Sequence, residues 1–153
     1  PASPGGYILP FTVGAGCSLN TANGGAVANL SLTSNPSYSM TDTSGKYLYV
    51  LNQSTTNSNA QMYSSISAFL IEPTSGKLSP LNDQNNPYPV GAGPVCMVED
   101  PTCQYFYTSN SVDGTVTGKN FFPTFGTLTD LKRGSTFTAT GQATCLAISP
   151  NVE

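Results

Sequence analysis

Residues 36–52, PSYSMTDTSGKYLYVLN, return as residues 94–110, PVCMVEDPTCQYFYTSN, and the fold is read from this duplication. Pro94 follows Pro36, Asp100 follows Asp42, Tyr105 follows Tyr47, Tyr107 follows Tyr49 and Asn110 follows Asn52, each by 58 positions. Self-similarity at a long, fixed period marks an array of supersecondary units, so it governs the reading of everything else. Each copy is written as a β-hairpin. A short alternating run (Tyr38 and Met40, or Cys96 and Val98) leads into a turn of Asp, Ser, Gly or Pro, and then into an aromatic and β-branched run. Gly45 supplies a positive-φ turn residue without steric cost, whereas the second copy opens its turn with Asp100-Pro101 and places Cys103 where Gly45 stood.

Working outward, residues 7–13 (YILPFTV) read as a strand that Pro10 confines to a sheet edge or a bulge. They align with residues 65–71 (SISAFLI), because Ile66 and Phe69 again lie 58 positions after Ile8 and Phe11. Residues 7–13 are therefore the third strand of an incomplete unit, and residues 26–32 its fourth. Between them, residues 14–25 (GAGCSLNTANGG) read as a mobile loop with Leu19 as its one bulky residue. Residues 1–6 read as an extended leader, and 53–64 as a polar surface loop. After each hairpin copy a third and a fourth strand follow, around turns at Gly76 and Gly126. Val116, Gly126 and Leu131 follow Ile66, Gly76 and Leu81 by 50 positions, so a connection has shortened by eight residues while strand spacing persists. Residues 143–150 repeat the hairpin's opening at an offset of 49 (Cys145 after Cys96, Pro150 after Pro101) and read as a first strand. The count is two, four, four and one strands.

The pattern of Gly45-Lys46-Tyr47-Leu48-Tyr49-Val50-Leu51-Asn52, of Tyr105-Phe106-Tyr107-Thr108-Ser109-Asn110, and of the Gly-x-Leu turns at Gly76 and Gly126 resembles the YVTN type of β-propeller repeat. That repeat is shared by surface-layer-type propellers and by the seven-bladed lactonase family. The resemblance covers residues 36–150 well and the first 35 weakly. It implies an all-β fold of four-stranded antiparallel blades around an axis, with the first strand of each blade innermost. The expected division is 1–35 as the end of one blade, 36–93 and 94–142 as full blades, and 143–153 as the first strand of the next. At four strands per blade, about 2.75 blades do not close a ring of four to eight. The neighbouring blades then come from the remainder of a longer propeller or from other copies of this chain.

Of the 153 residues only 8% are charged, against about a quarter in an average globular domain, so Ser, Thr, Asn and Gln must make the surface polar. That profile leans towards an extracellular or cell-surface protein. The net charge of −3 and the scatter of Lys46, Lys77, Lys119, Lys132 and Arg133 give no electrostatic footprint for nucleic acid. No apolar run approaches the ~18 residues of a membrane-spanning helix. Beginning at Pro1, without methionine or a signal peptide, the chain reads as processed or partial.

The site residues follow from the same frame. Tyr47, Tyr49, Tyr105 and Tyr107 alternate, so each pair shows one face of its sheet; packing between blades is the plain reading and a carbohydrate-stacking platform the sharper one. Leu48, Val50 and Phe106 fill the opposite faces. Cys17, Cys96, Cys103 and Cys145 are disulfide candidates with three possible pairings. Within the propeller reading, Cys96 and Cys145 occupy equivalent inner-strand positions of successive blades, which leaves Cys17 and Cys103 in turns on one face of the disc. Without histidine or a C-x-x-C spacing there is no zinc signature, and no metal or cofactor is expected. Asp42 and Asp100 are matched turn residues whose alternative role is calcium binding. Glu99 and Asp100 are adjacent on a strand and point to opposite faces, so they do not form a catalytic pair; no catalytic residue is assigned. Asn29-Leu30-Ser31 and Asn52-Gln53-Ser54 fit the glycosylation triplet. The absence of histidine and of a paired set of carboxylates favours a non-catalytic scaffold, and the count of two, four, four and one strands lets one chain's last strand meet the next chain's third and fourth, a self-assembly head to tail into a filament or ring. A segment of a lactonase-like hydrolase with its catalytic residues elsewhere, and a carbohydrate- or peptide-binding module, are the alternatives.

Overall fold

The computed structural model describes residues 6–22, 24–28, 30, 34–54 and 64–149, so the start of the leader, Asn29, most of the 53–64 loop and residues 150–153 lie outside the described residues. Among the described residues fourteen strands run in chain order: β1 (Tyr7–Ile8), β2 (Phe11–Val13), β3 (Leu19–Thr21), β4 (Val27–Ala28), β5 (Ser34–Thr41), β6 (Tyr47–Ser54), β7 (Ser65–Ile71), β8 (Leu78–Pro80), β9 (Tyr88–Pro89), β10 (Pro94–Glu99), β11 (Tyr105–Asn110), β12 (Thr115–Phe122), β13 (Thr127–Asp130) and β14 (Thr136–Thr138). All pairings are antiparallel. Two complete blades have the orders β5-β6-β7-β8 and β10-β11-β12-β13, with β9 added to β7 and β14 to β12. The architecture is that of an incomplete β-propeller.

The two blades share their irregularities as well as their strands. Both inner strands carry a register shift at the repeated proline, between Pro36 and Tyr38 and between Pro94 and Cys96. Proline has no N–H to give to the ladder, so a bulge is where an inner strand tolerates it. Fourth strands are split: β7 pairs with β8 through Phe69–Ile71 and with β9 through Ser65 and Ile66, and β12 divides itself between β13 and β14 in the same way. In the first complete blade the gap in the ladder is plugged by a side chain. Asn86 Oδ1 accepts the Ala68 N–H at 2.9 Å while its Nδ2 donates to the Ala68 carbonyl at 2.9 Å, so the backbone groups left between the two half-strands are satisfied.

The same split corrects the reading of the chain's beginning. Residues 7–13 form two short strands rather than one, broken at Leu9-Pro10, and residues 14–25 are not simply a loop. They hold a 3-10 turn at Ala15–Cys17 and then β3, which pairs with β2 (Val13 with Leu19) as β8 pairs with β7 (Ile71 with Leu78). Leu19-Asn20-Thr21 is too short and too polar to announce a strand; its ladder to β2 makes it one. The expected fourth strand at 26–32 is present as β4, paired with β1; Asn29 and residues 31–33 lie outside the described residues. A second correction concerns residues 143–149, expected as a first strand, which carry no strand. A strand needs a ladder partner, and the described residues contain no second strand to follow it.

Apolar side chains gather in two layers, one on each side of the first complete blade. Tyr47, Tyr49, Leu51, Ile66, Ala68, Tyr88 and Val90 meet Met97, Phe106, Phe121 and Leu128 of the second blade. On the other side Val50, Phe69 and Leu78, with Leu48 and Ile71, meet Ile8, Val27 and Leu30 of the partial blade. A sheet sandwiched in this way has no polar face, which is why β6 reads Y-L-Y-V-L rather than alternating with polar residues.

Candidate functional site: the seam between the complete blades

The seam is built around Tyr49. Its ring is fully buried, edge-on to Phe106 at 4.7 Å and to Phe121 at 6.0 Å, and Phe106 stacks on Phe121 at 4.7 Å. Its hydroxyl donates to the Gly126 carbonyl at 2.7 Å, and the Tyr47 hydroxyl donates to the Thr124 carbonyl at 3.1 Å. Both acceptors lie in the tight turn between β12 and β13, so two phenols of one blade clasp a turn of the next. Gly126 is required there: its φ is +71°, and a Cβ would fall 2.5 Å from the Tyr47 ring. Burial pushes the Tyr49 phenol well above its ordinary 10.0, first by desolvation and then by neighbouring Asp42, so it acts as a neutral donor at any working pH. Tyr105 and Tyr107 stand at the equivalent places on the second blade, half-buried, with ring centroids 6.3 Å apart. They face away from the seam: Tyr105 lines a groove of about 580 Å³ with Asn120, Phe122, Leu131 and Phe137, and the Tyr107 ring sits with Leu131 and Phe137 around Gly118.

At one end of the seam lie the repeated aspartates. Asp42 accepts hydrogen bonds from the backbone N–H of Ser44 and Tyr47 and from the Ser44 hydroxyl; Asp100 accepts from the N–H groups of Thr102, Gln104 and Tyr105 and from the Thr102 hydroxyl. Each carboxylate thereby closes its own hairpin turn. Partial burial acts to raise Asp100, but those hydrogen bonds outweigh it and hold the carboxyl below its ordinary 3.8. Glu99 crosses to the other blade, its Oε2 accepting the Thr43 N–H at 2.7 Å and the Thr43 hydroxyl at 3.0 Å, while Oε1 is buried without a partner. All three carboxylates are committed to backbone. Among the described residues no three His, Cys, Asp or Glu side chains converge on a point where they could hold a metal ion.

One group on the seam escaped the sequence reading. Lys119 is 4% exposed, its Nζ 2.6 Å from Asp130 Oδ1, although Asp130 itself is largely solvent-exposed. The bond from Lys119 is the chief cause that holds the Asp130 carboxyl below 3.8, assisted by the Ser135 hydroxyl at 3.1 Å. Beside the pair is a cleft of about 240 Å³ lined by Gly91, Asp113, Thr117, Ser135 and Thr136. The signal available in sequence was the period of two: Thr117, Lys119 and Phe121 share one face of β12, so an inward Phe121 implies an inward Lys119. This ammonium–carboxylate pair can bind polar groups beside the cleft.

Of the four cysteines, Cys96 and Cys145 are bonded, with Cα atoms 5.1 Å apart, and tie the strandless residues 143–149 to the inner strand of the second blade. Cys17 and Cys103, the other two disulfide candidates, are free thiols. Both sit in left-handed backbone conformations, at φ +60° and +55°, Cys103 in the turn position that Gly45 fills at +69°.

Comparison with known proteins agrees with this geometry. The family described as "Lactonase, 7-bladed beta-propeller" matches residues 15–141. No curated protein matches the chain. Among solved structures, a candidate 6-phosphogluconolactonase from Bacteroides fragilis superposes with a TM-score of 0.73 at 19% identity, over 94% of this chain and 36% of that one. A second from Bacteroides uniformis gives 0.72 at 18% identity, over 94% and 37%. The periplasmic gluconolactonase of Pseudomonas aeruginosa gives 0.65 at 16% identity, over 92% and 36%. The chain spans little more than a third of the length of these proteins.

Proposed function

Because this chain belongs to the seven-bladed β-propeller lactonase family, we propose that its two complete blades are part of the wall of a lactonase-type ring that hydrolyses a sugar lactone, with the reacting groups on blades outside residues 1–153. The observation that carries this reading is the family match over residues 15–141, joined to the clasped seam at Tyr47 and Tyr49. It ranks the hydrolase segment above the non-catalytic scaffold that the sequence favoured. The residues present support a structural share of that work. Asp42, Asp100 and Glu99 are spent on turns and on the seam, the chain has no histidine, and its one arginine, Arg133, is exposed on the rim of the outer groove. The Cys96–Cys145 bond supports an oxidising compartment and hence an extracellular or cell-surface location.

The test is hydrolysis of glucono-1,5-lactone, followed as acid release at constant pH. The ring-complete protein purified from its source should accelerate it, while residues 1–153 alone should give no rate above buffer. A ring-complete protein inert towards a panel of sugar lactones would return the scaffold reading to first place.

A further inference from the structure

The cleft beside Lys119 lies between the two complete blades, so both of its walls belong to a seam that the chain makes within itself. The repeat shows that its central residue is out of pattern. Across the third and fourth strands Phe11 pairs with Thr21 and Phe69 with Pro80, and at the same place on the second complete blade Lys119 pairs with Asp130. Phe69 is fully buried and fills its seam against the partial blade. Lys119 is almost as deep, at 4% exposure, yet a space of about 240 Å³ remains beside it. Exchanging a packed phenyl ring for a buried ammonium gives up apolar contact and adds a desolvation cost, so stability does not account for the exchange. A position that breaks the rule set by its own repeat is where a binding site is expected.

Hydrogen-bonding capacity defines what fits there. On the floor, the Lys119 ammonium has three N–H groups and gives one to Asp130; the other two meet no acceptor among the described residues. Thr117, 3% exposed, already accepts from the Gly91 N–H at 3.1 Å and from Asn110 Nδ2 at 2.9 Å, so its hydroxyl is left to donate. At the rim stand the exposed carboxylates of Asp113 and Asp130, which only accept, and Asp130 Oδ2 has no partner among the described residues. The floor donates and the rim accepts. An inorganic anion suits the floor but is repelled by two carboxylates, and a cation suits the rim but meets the ammonium. We propose that this cleft binds one ring of a neutral sugar or cyclic polyol, whose hydroxyls accept from Lys119 and Thr117 and donate to Asp113 and Asp130. The cleft is built on third and fourth strands, apart from the first strands that a lactonase-type ring turns towards its axis, so the inference goes beyond the lactonase reading.

The experiment is saturation-transfer NMR on the ring-complete protein, titrated with glucose, galactose, mannose and myo-inositol at constant ionic strength, with inorganic sulfate as a competitor. At least one of the four should bind, and sulfate should not displace it. Lys119→Met removes the floor's charged donors, and Thr136→Tyr places a larger side chain at an exposed position of the rim. Each should raise the dissociation constant of that sugar or polyol about tenfold or more. Absence of binding by all four, displacement by sulfate, or a folded variant that binds as the parent does would overturn the proposal; the last result would place the sugar elsewhere on the ring. Circular dichroism confirms that the variants are folded, and should one fail to fold, the other still tests the cleft. Lactone hydrolysis is not read here, so failure of this proposal and failure of the hydrolase reading remain separate results.

Discussion

The equivalence of Tyr49 and Tyr107 makes a paired substitution informative. Tyr49→Phe removes one oxygen from a fully buried ring and leaves the Gly126 carbonyl, 2.7 Å away, without that donor. Stranding a buried acceptor costs about 1–3 kcal/mol. In a domain of this size each kcal/mol lowers the melting temperature by about 2–4 °C, so a loss of several degrees is expected. Tyr107→Phe makes the same chemical change 58 residues later, where the ring is half-buried and its hydroxyl has no hydrogen-bond partner among the described residues. That substitution should stay within about 0.5 kcal/mol of the parent. The assay is urea unfolding followed by far-ultraviolet circular dichroism, on oxidised protein dilute enough to be monomeric. Stability changes are taken from the midpoint at unchanged slope. Tyr49→Ala, which also empties the aromatic cluster, should cost about 3–5 kcal/mol by comparison with large-to-small core substitutions. Equal losses for the two Tyr→Phe variants would refute the claim that position relative to the seam, rather than the tyrosine itself, sets the energetics.

Two further outcomes follow from the charges. Lys119→Met should be neutral or stabilising, because it removes a buried ammonium while Asp130 keeps its access to water; the Asp130 carboxyl, followed by NMR titration, should rise towards 3.8. A loss above about 2 kcal/mol would show that the ammonium contributes more than its desolvation costs. Asp100 and Asp130 are both held below 3.8 in the folded chain, so near that pH the unfolded chain binds more protons. Their stabilisation is complete above the ordinary carboxylate range and is lost as pH falls through 3.8 towards the folded values. Melting temperatures measured between about pH 2 and pH 6 should therefore drop on the acid side, less steeply in Asp100→Asn, and an unchanged acid slope in that variant would remove Asp100 from the account.

How much of this was legible beforehand depended on whether the information was local. The offset of 58 exposed the hairpins, the turn aspartates and the alternating tyrosines, because antiparallel neighbours joined by a short turn write their pairing into adjacent sequence. The division of each fourth strand was not legible. Leu19-Asn20-Thr21 and Tyr88-Pro89 are too short to show a period, and the Asn86 amide that bridges the gap between β8 and β9 looks like any loop asparagine. Lys119 was passed over as one of five scattered basic residues, although its place beside Phe121 on β12 carried the cue.

Sequence by itself determined the all-β class, the repeating blade and the two-faced character of each sheet, since all three are periodicities of side-chain type along the backbone. Only tertiary structure decided which face meets which neighbour. Tyr49 and Tyr107 are the same residue in the same motif, yet one is sealed against Phe106 and Phe121 and the other is half-buried on the face turned away from the seam. Burial belongs to the pair of surfaces in contact rather than to either strand, and for that reason the distinction between seam and exposed face had to await the assembled blades.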